Sequence, residues 1–217
     1  MVIEKVFLFI ITCIVIIFLA LSNSMENSLI HGVFNRILKE KKQGQTTGDA
    51  VYFVGDSLTY RHLWQADFPQ NDIVNKGVNA DQTSHVLKRL DEITNTHPNK
   101  IFIMIGINDL MKRKRGKEVL DNYEAIIKKI TNSSPNTTIY VQSLLPIRRN
   151  VELKNKDIIE FNKKLKILTM KYQVNYVDIH SLLMEEGKLA ERYTNDGLHL
   201  TSSGYQIWIN AISPYIK

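Results

Sequence analysis

Short apolar runs alternate with longer segments of helical periodicity from about residue 50 to the end of the chain. Several runs have the length and the β-branched or aromatic content of buried strands, namely Val51–Val54, Ile73-Val74, Ile101–Ile105, Thr138–Gln142 and Val174–Val177. Apolar residues recur at helical spacing in the segments that separate or follow them, among them Ser84–Thr94, Glu118–Ile130, Asp157–Tyr172 and Ser203–Ile212. The alternation predicts an α/β domain in which helices cover both faces of a central parallel sheet of about five strands.

The first 24 residues follow a different pattern. Val6–Leu21 is apolar and uncharged, and as a helix it spans about 24 Å, slightly less than the ~30 Å hydrocarbon core of a bilayer. We favour an uncleaved single-span membrane anchor that places the following domain outside the cytoplasm. A secretory signal peptide cleaved near Ala20-Leu21-Ser22 and a buried core helix are the alternatives. Lys5 gives little positive bias before the apolar run, so the charge pattern leaves the orientation open.

A short connecting region separates this apolar segment from the α/β pattern. Leu29–Lys42 has apolar residues at helical spacing, and Gln43–Asp49 is a turn-rich linker. We therefore divide the chain into an N-terminal hydrophobic segment (residues 1–24), a helix with a linker (residues 25–49) and one domain (residues 50–217).

Composition and charge narrow the classes of function. The chain has 217 residues, of which 44% are hydrophobic and 23% charged, as expected for one folded domain with an appendage. The net charge is +6, but the lysines are scattered over helical stretches and are not interleaved with aromatic residues, so we expect no nucleic-acid binding. Cys13 is the only cysteine, which excludes an intramolecular disulfide, and no cluster of His, Asp or Glu has metal-ligand spacing. We expect neither a metal nor another cofactor.

Polar or glycine-containing turns follow the predicted strands. They include Gly55-Asp56-Ser57-Leu58, Asn75–Asn79 and Gly106–Asp109, and a further block near the C-terminus is Asp196-Gly197-Leu198-His199. Ligands of open α/β sheets bind outside the carboxyl ends of the strands. We therefore expect these turns to form one site.

The residue types in these turns are those that acyl transfer requires. By itself, Ser57 fits two interpretations, a helix cap or a nucleophile at the end of a buried strand. His199 is the candidate base, because an imidazole has a pKa near ~6.5, and Asp196 can orient it by folding back onto Nδ1. The candidate oxyanion donors are the Ser57 N–H, the Gly77 N–H and the Asn108 side-chain amide. We interpret Ser57 as the nucleophile, since the alternative would require four coincidences at one sheet edge.

Together these blocks resemble those of the GDSL, or SGNH, hydrolase family. The resemblance extends from about residue 50 to the C-terminus, and four blocks in the family's order are more specific than Gly-Asp-Ser alone. It implies a three-layer α/β/α flavodoxin-like fold. One departure is Leu200, where many members have proline after the histidine. The family's catalytic and oxyanion roles carry over to Ser57, Gly77, Asn108, Asp196 and His199.

These observations lead us to expect a membrane-tethered or exported serine esterase that forms an acyl-enzyme on Ser57. Its expected substrates are carboxylic esters of an acetylated glycan or a lipid. The resemblance also allows thioesters and does not choose among these classes. One alternative is an acyltransferase with the same triad. An alternative from another class is a catalytically silent binding module tethered to a membrane.

Overall fold

A sheet of five parallel strands organises the computed structural model, which describes residues 49–149 and 151–216. The strands are β1 (Val51–Gly55), β2 (Ile73–Gly77), β3 (Lys100–Met104), β4 (Thr138–Gln142) and β5 (Asn175–Val177). Their order is β2-β1-β3-β4-β5, and each neighbouring pair is parallel. Central strands covered on both faces require nearly continuous apolar sequence, which β1 and β3 have. The predicted α/β fold with its parallel sheet is confirmed.

Helices connect the strands and cover the sheet. They are α1 (Ser57–Tyr60), α2 (Trp64–Asp67), α3 (Thr83–Thr94), α4 (Ile107–Met111), α5 (Gly116–Ser133), α6 (Asn155–Lys171), α7 (His180–Leu183) and α8 (Ser202–Ile216). A two-stranded antiparallel hairpin, β6 (Met184–Glu185) with β7 (Lys188–Leu189), and a 3₁₀ turn at Glu191–Tyr193 precede α8. The long helices agree with the predicted segments to within a few residues. By contrast, α2, α4 and α7 are too short for hydrophobic periodicity to indicate them.

Aromatic side chains fix two helices against one face of the sheet. Phe53, Phe102 and Tyr140 lie side by side on adjacent strands, with ring centroids 5.2 Å and 4.5 Å apart. Trp64 of α2 stacks on Phe53 at 4.3 Å, and Trp208 of α8 meets Trp64 edge-on at 5.0 Å. All five rings are at least nine-tenths buried, so their packing holds α8 close to β1.

The chain reverses its direction of travel across the sheet beside β1. From β1 it passes to β2 on one side, and it then crosses to β3 on the other side of β1. Loops diverge at such a switch point and leave a crevice at the carboxyl ends of the strands. Ser57 follows β1 and Asn108 lies in α4 after β3, so these two predicted site residues flank the crevice.

The predicted hydrophobic segment, residues 1–24, lies outside the described residues, as does the predicted helix and linker, residues 25–49, apart from Asp49. Within residues 49–149 and 151–216, no helix combines the length and the apolar character needed to cross a bilayer.

Candidate active site

Ser57 opens α1 directly after β1, and its hydroxyl is not used to cap the helix. The cap is Asp56, whose Oδ1 accepts a hydrogen bond from the Leu58 N–H at 3.0 Å. The first N–H groups of a helix have no acceptor within the helix. Ser57 is the first residue of α1, so its N–H makes no hydrogen bond inside this helix. Sequence and local structure thus leave both the hydroxyl and the N–H of Ser57 available for chemistry.

A chain of hydrogen bonds joins Ser57, His199 and Asp196. The Ser57 Oγ lies 3.0 Å from His199 Nε2, although the two residues are 142 positions apart. His199 Nδ1 lies 2.6 Å from Asp196 Oδ2. The other carboxylate oxygen, Oδ1, accepts from the backbone N–H groups of Leu198 at 2.9 Å and of His199 at 2.7 Å. The turn therefore aims one oxygen at the imidazole and fixes the other on its own backbone.

The surroundings of the pair favour a neutral imidazole and an ionised carboxylate. Burial lowers the pKa of His199, while the hydrogen bond that its ring donates to Asp196 raises it and the charges of Arg61 and Arg149 lower it. Burial acts to raise the pKa of Asp196, but hydrogen bonds from the His199 ring and from two backbone N–H groups hold it well below its usual range. In this state Nδ1–H donates to Asp196 and Nε2 can accept the Ser57 proton.

Asn108 lies on the other side of the switch point. Its Nδ2 donates to the Asp81 carbonyl at 2.9 Å, which ties α4 to the loop after β2. That bond uses one of the two amide hydrogens, and among the described residues the second has no hydrogen-bond acceptor. The arrangement leaves Asn108 able to donate one hydrogen bond to a ligand.

Gly77 does not have the predicted place, and this assignment is corrected. Its N–H donates to the Asn75 Oδ1 at 2.9 Å, so the group is already used within β2. A Cβ at Gly77 would lie 2.4 Å from the backbone nitrogen of Tyr60. The absence of a side chain therefore allows β2 to pack closely against α1, and Gly77 is not placed as an oxyanion donor.

Ala80, in the loop after β2, is a candidate backbone donor that the sequence pattern does not indicate. It has a φ of +59°, in the left-handed region where an alanine is uncommon. Within the described part of the chain its N–H has no hydrogen-bond partner, and the next residue, Asp81, receives the bond from Asn108. No signal in a single sequence marks an alanine for this conformation, so only the backbone geometry could reveal it.

The other histidines with a polar contact have partners different from Ser57. The histidine pairs are His62 with Asp67, His85 with Asp81, and His180 with the carbonyl of Leu144.

Among the described residues, no group of three or more His, Cys, Asp or Glu side chains is placed to hold a metal ion.

A buried carboxyl group lies directly before the nucleophile candidate. Asp56 is 1% exposed. Burial raises its pKa to about 7, the hydrogen bond from the Leu58 N–H acts against this, and the negative charges of Asp81 and Asp109 add to it. Asp109 in turn accepts two hydrogen bonds from Thr83, one from its N–H and one from its hydroxyl. The Asp56 carboxyl group is therefore partly protonated near neutral pH.

Replacement of Asp56 by asparagine is expected to change the pH dependence of stability. Below the ordinary pKa of 3.8 the carboxyl is protonated in both the folded and the unfolded state. As the pH rises from 3.8 to about 7, the carboxyl ionises in the unfolded state but not yet in the folded state, so the free energy of unfolding falls until the folded carboxyl ionises as well. Asp56→Asn keeps an acceptor for the Leu58 N–H and removes this loss, which amounts to about 4 kcal/mol between pH 4 and pH 8.

Urea unfolding of the wild type and Asp56→Asn across this pH range would measure the difference. Asp121→Asn, at an exposed carboxylate paired with Lys117, is the matched control and should leave the wild-type pH profile unchanged. Parallel profiles for the wild type and Asp56→Asn would contradict the prediction.

Comparisons with known proteins show the family and the fold that this chain shares. A model of the GDSL-like lipase/acylhydrolase family matches residues 45–207. The chain is 31% identical over 163 residues to platelet-activating factor acetylhydrolase IB subunit alpha2 of Rattus norvegicus, an alignment that covers 71% of this chain and 70% of that protein. A Streptococcus pneumonia structure named for platelet activating factor is 30% identical, with a TM-score of 0.74 and coverage of 90% of this chain and 100% of that one. An acetylxylan esterase from Geobacillus stearothermophilus, 22% identical, shares the fold with a TM-score of 0.61 and coverage of 78% and 94%.

Proposed function

The chain belongs to the GDSL-like lipase/acylhydrolase family, and from this we propose that it is a serine esterase that cleaves carboxylic esters through an acyl-enzyme on Ser57. The observation that carries the proposal is the line of hydrogen bonds from the Ser57 Oγ through the His199 ring to Asp196. It supplies a nucleophile, a base and an orienting carboxylate at the crevice where ligands of such sheets bind.

In the proposed acylation step, His199 Nε2 takes the proton from the Ser57 Oγ as this oxygen attacks the ester carbonyl carbon. The carbonyl π electrons move onto its oxygen and form a tetrahedral oxyanion. Asp196 stabilises the resulting imidazolium. When the carbonyl re-forms, the bond to the alcohol oxygen breaks, and His199 gives its proton to that leaving oxygen. The alcohol departs and the acyl group remains on Ser57.

The deacylation step repeats these events with water. His199 Nε2 takes a proton from a water molecule, whose oxygen attacks the acyl carbon and forms a second oxyanion. Collapse of this intermediate breaks the bond to the Ser57 Oγ, which receives the proton from His199. The carboxylic acid leaves and the site returns to its starting state.

Three donors are proposed for the oxyanion. They are the Ser57 N–H, the free amide hydrogen of Asn108, and the N–H of Ala80 in place of the Gly77 group that β2 already uses. The hydrogen bond from Asn108 to the Asp81 carbonyl supports this set, because it holds the loop beside Ala80 next to the Asn108 amide. Donors fixed before the reaction stabilise the developing charge without reorganisation.

Replacement of Asn108 by alanine is expected to lower kcat by about 10²–10³-fold, with a small change in KM, because one oxyanion donor is lost. Steady-state hydrolysis of an activated ester measures this effect. Asn122→Ala is the matched control, since Asn122 Nδ2 donates to the Thr83 hydroxyl at the start of α3 and lies outside the proposed donor set. Equal losses in the two variants would show that Asn108 acts only by holding the loop.

We propose an acetylated glycan or a lipid-type ester as the substrate. A relative of 31% identity is named an acetylhydrolase, which supports a short acyl group. The predicted membrane tether supports a substrate of the cell envelope. Hydrolysis of p-nitrophenyl esters from acetate to long acyl chains tests the proposal, with fast cleavage of the acetate as the expected result. If no chain length were hydrolysed, the esterase assignment would fail and a silent binding module would be favoured.

A second experiment separates hydrolysis from acyl transfer. A labelled acetyl ester is supplied in water with and without an added glycan. For an esterase the label appears as free acetate in both cases. Transfer of most of the label to the glycan would instead identify an acyltransferase, with an alcohol in place of water as the acceptor.

For location, we propose a single-pass N-terminal anchor with the catalytic domain outside the cytoplasm. The support is the uncharged apolar run Val6–Leu21. The mass of the mature N-terminus tests it, because a secreted form cleaved near Ser22 would lack this run.

A further inference from the structure

The loop after β4 reaches the turn that carries Asp196 and His199. The Arg148 N–H donates to the Gly197 carbonyl at 2.8 Å. Gly197 has a φ of +78°, and a Cβ there would lie 2.7 Å from the backbone nitrogen of Arg149. Only a glycine allows the two backbones to approach so closely. The loop is therefore fixed against this turn.

Because the loop lies against this turn, the Arg149 side chain makes two hydrogen bonds to Asp196. Its Nε donates to the Asp196 carbonyl at 2.9 Å, and its Nη2 donates to Asp196 Oδ2 at 2.8 Å. The same Oδ2 is 2.6 Å from His199 Nδ1. A guanidinium that stays charged and the imidazole thus share one carboxylate oxygen. Two backbone N–H groups donate to the other oxygen, Oδ1. Every contact of the carboxylate therefore favours the orientation in which Oδ2 faces the His199 ring.

The guanidinium also changes the electrostatic surroundings of the base. An imidazolium formed at His199 is stabilised by Asp196 on its own turn. It is opposed by Arg149 from the loop after β4 and by Arg61 at the end of α1. Among the contributions to the His199 pKa, burial lowers it most, Asp196 raises it, and the two arginines lower it. The positive charge of Arg149 therefore favours the neutral, basic form of His199.

We propose that Arg149 is a positioning residue, which fixes the Asp196 carboxylate towards His199 and extends the working range of that base to lower pH. The inference rests on the proposed esterase function, because it concerns the base of that reaction. Arg149 acts through Asp196 and does not contact the Ser57 hydroxyl. Its side chain is 35% exposed, so a substitution there removes no part of the hydrophobic core.

Two substitutions separate the charge of Arg149 from its geometry. Arg149→Met is expected to lower kcat about tenfold with a small change in KM, because the carboxylate is less well fixed. It should also move the acidic limb of the kcat/KM profile to higher pH, because the positive charge that disfavours the imidazolium is lost. Arg149→Lys keeps the charge and should leave this limb in place, but one ammonium group cannot reproduce both bonds, so part of the kcat loss remains.

Arg148→Met is the matched control in the same loop. The Arg148 side chain donates to the Leu189 carbonyl at 2.7 Å and has no bond to the Asp196 side chain. This variant should keep both the wild-type kcat and the wild-type pH profile. An equal change in the Arg148 and Arg149 variants would overturn the inference, since it would point to a general effect of the loop.

A second measurement needs no substrate. Titration of the His199 ring by NMR in the full chain, with its signals assigned by their loss in His199→Gln, should give a higher pKa in Arg149→Met than in the wild type. Arg149→Lys should match the wild type. Unchanged titration in Arg149→Met would overturn the inference. If no ester is hydrolysed, the esterase proposal fails by itself, and this titration still decides whether Arg149 controls His199.

Discussion

Replacement of Ser57 by alanine is expected to lower kcat for ester hydrolysis by about 10⁴–10⁶-fold. The Ser57 Oγ is hydrogen-bonded to His199 Nε2 at 3.0 Å. Its loss removes both the nucleophile and the proton that His199 would take. Residual turnover would come from water and the oxyanion donors alone. Steady-state hydrolysis of p-nitrophenyl acetate, with a burst experiment for the acyl-enzyme, measures the effect.

The fold should survive this substitution. Asp56 caps α1 through the Leu58 N–H, and the Leu58 carbonyl accepts from the Tyr205 hydroxyl at 2.7 Å, so neither bond uses the serine side chain. Circular dichroism and urea unfolding provide that check. Because Ser57 and His199 act as a unit, Ser57→Ala with His199→Ala should be no slower than either single variant. Losses that multiply, or activity that persists in Ser57→Ala, would contradict the assignment.

Replacement of Asp196 by asparagine is expected to lower kcat by about 10³–10⁴-fold while KM changes little. One side-chain atom must still accept from the Leu198 and His199 N–H groups, so the amide oxygen takes the place of Oδ1. The amide NH₂ then faces His199 Nδ1 and the Arg149 guanidinium, which are donors in the wild type. His199 would have to accept at Nδ1 and carry its proton on Nε2, where it can no longer take the serine proton.

Asp178→Asn is the matched control for this substitution. Asp178 Oδ1 accepts from the Ser181 N–H at 3.1 Å, so it is also a turn carboxylate with a backbone donor, but it has no bond to His199. This control should retain wild-type kcat. If Asp196→Asn kept kcat within about tenfold of the wild type, orientation of His199 by Asp196 would not contribute as this geometry implies.

Much of the fold could be predicted from the sequence because burial on both faces leaves a strong pattern. The apolar residues of β1 and β3 indicate central strands directly. The apolar pattern predicts the second strand only at Ile73-Val74, whereas β2 continues to Gly77. Asn75 interrupts the apolar pattern because its side chain donates to three carbonyl oxygens of the α1–α2 region. A polar residue with a structural role inside a strand cannot be recognised from periodicity.

The site was predictable only in part. Ser57, Asp196 and His199 can be predicted as site residues because their side chains carry reactive groups. They also lie at the end of a strand or in a turn, where ligands of such sheets bind. A backbone donor is different, because any residue has an N–H and only its hydrogen-bond partners show whether it is free. Gly77 was the expected donor for its residue type, yet Asn75 satisfies its N–H, and Ala80, an ordinary residue type, has the unusual φ.

The sequence by itself determined the alternation of strands and helices and the chemical groups at the ends of the strands. These follow from local patterns of burial and turn formation, which neighbouring residues specify. Only the tertiary structure decided that His199 meets Ser57 across 142 residues and that Arg149 holds Asp196 across 47. It also decided which backbone donors remain free. Hydrogen-bond partners of this kind depend on how distant segments pack around the sheet, and no local pattern records them.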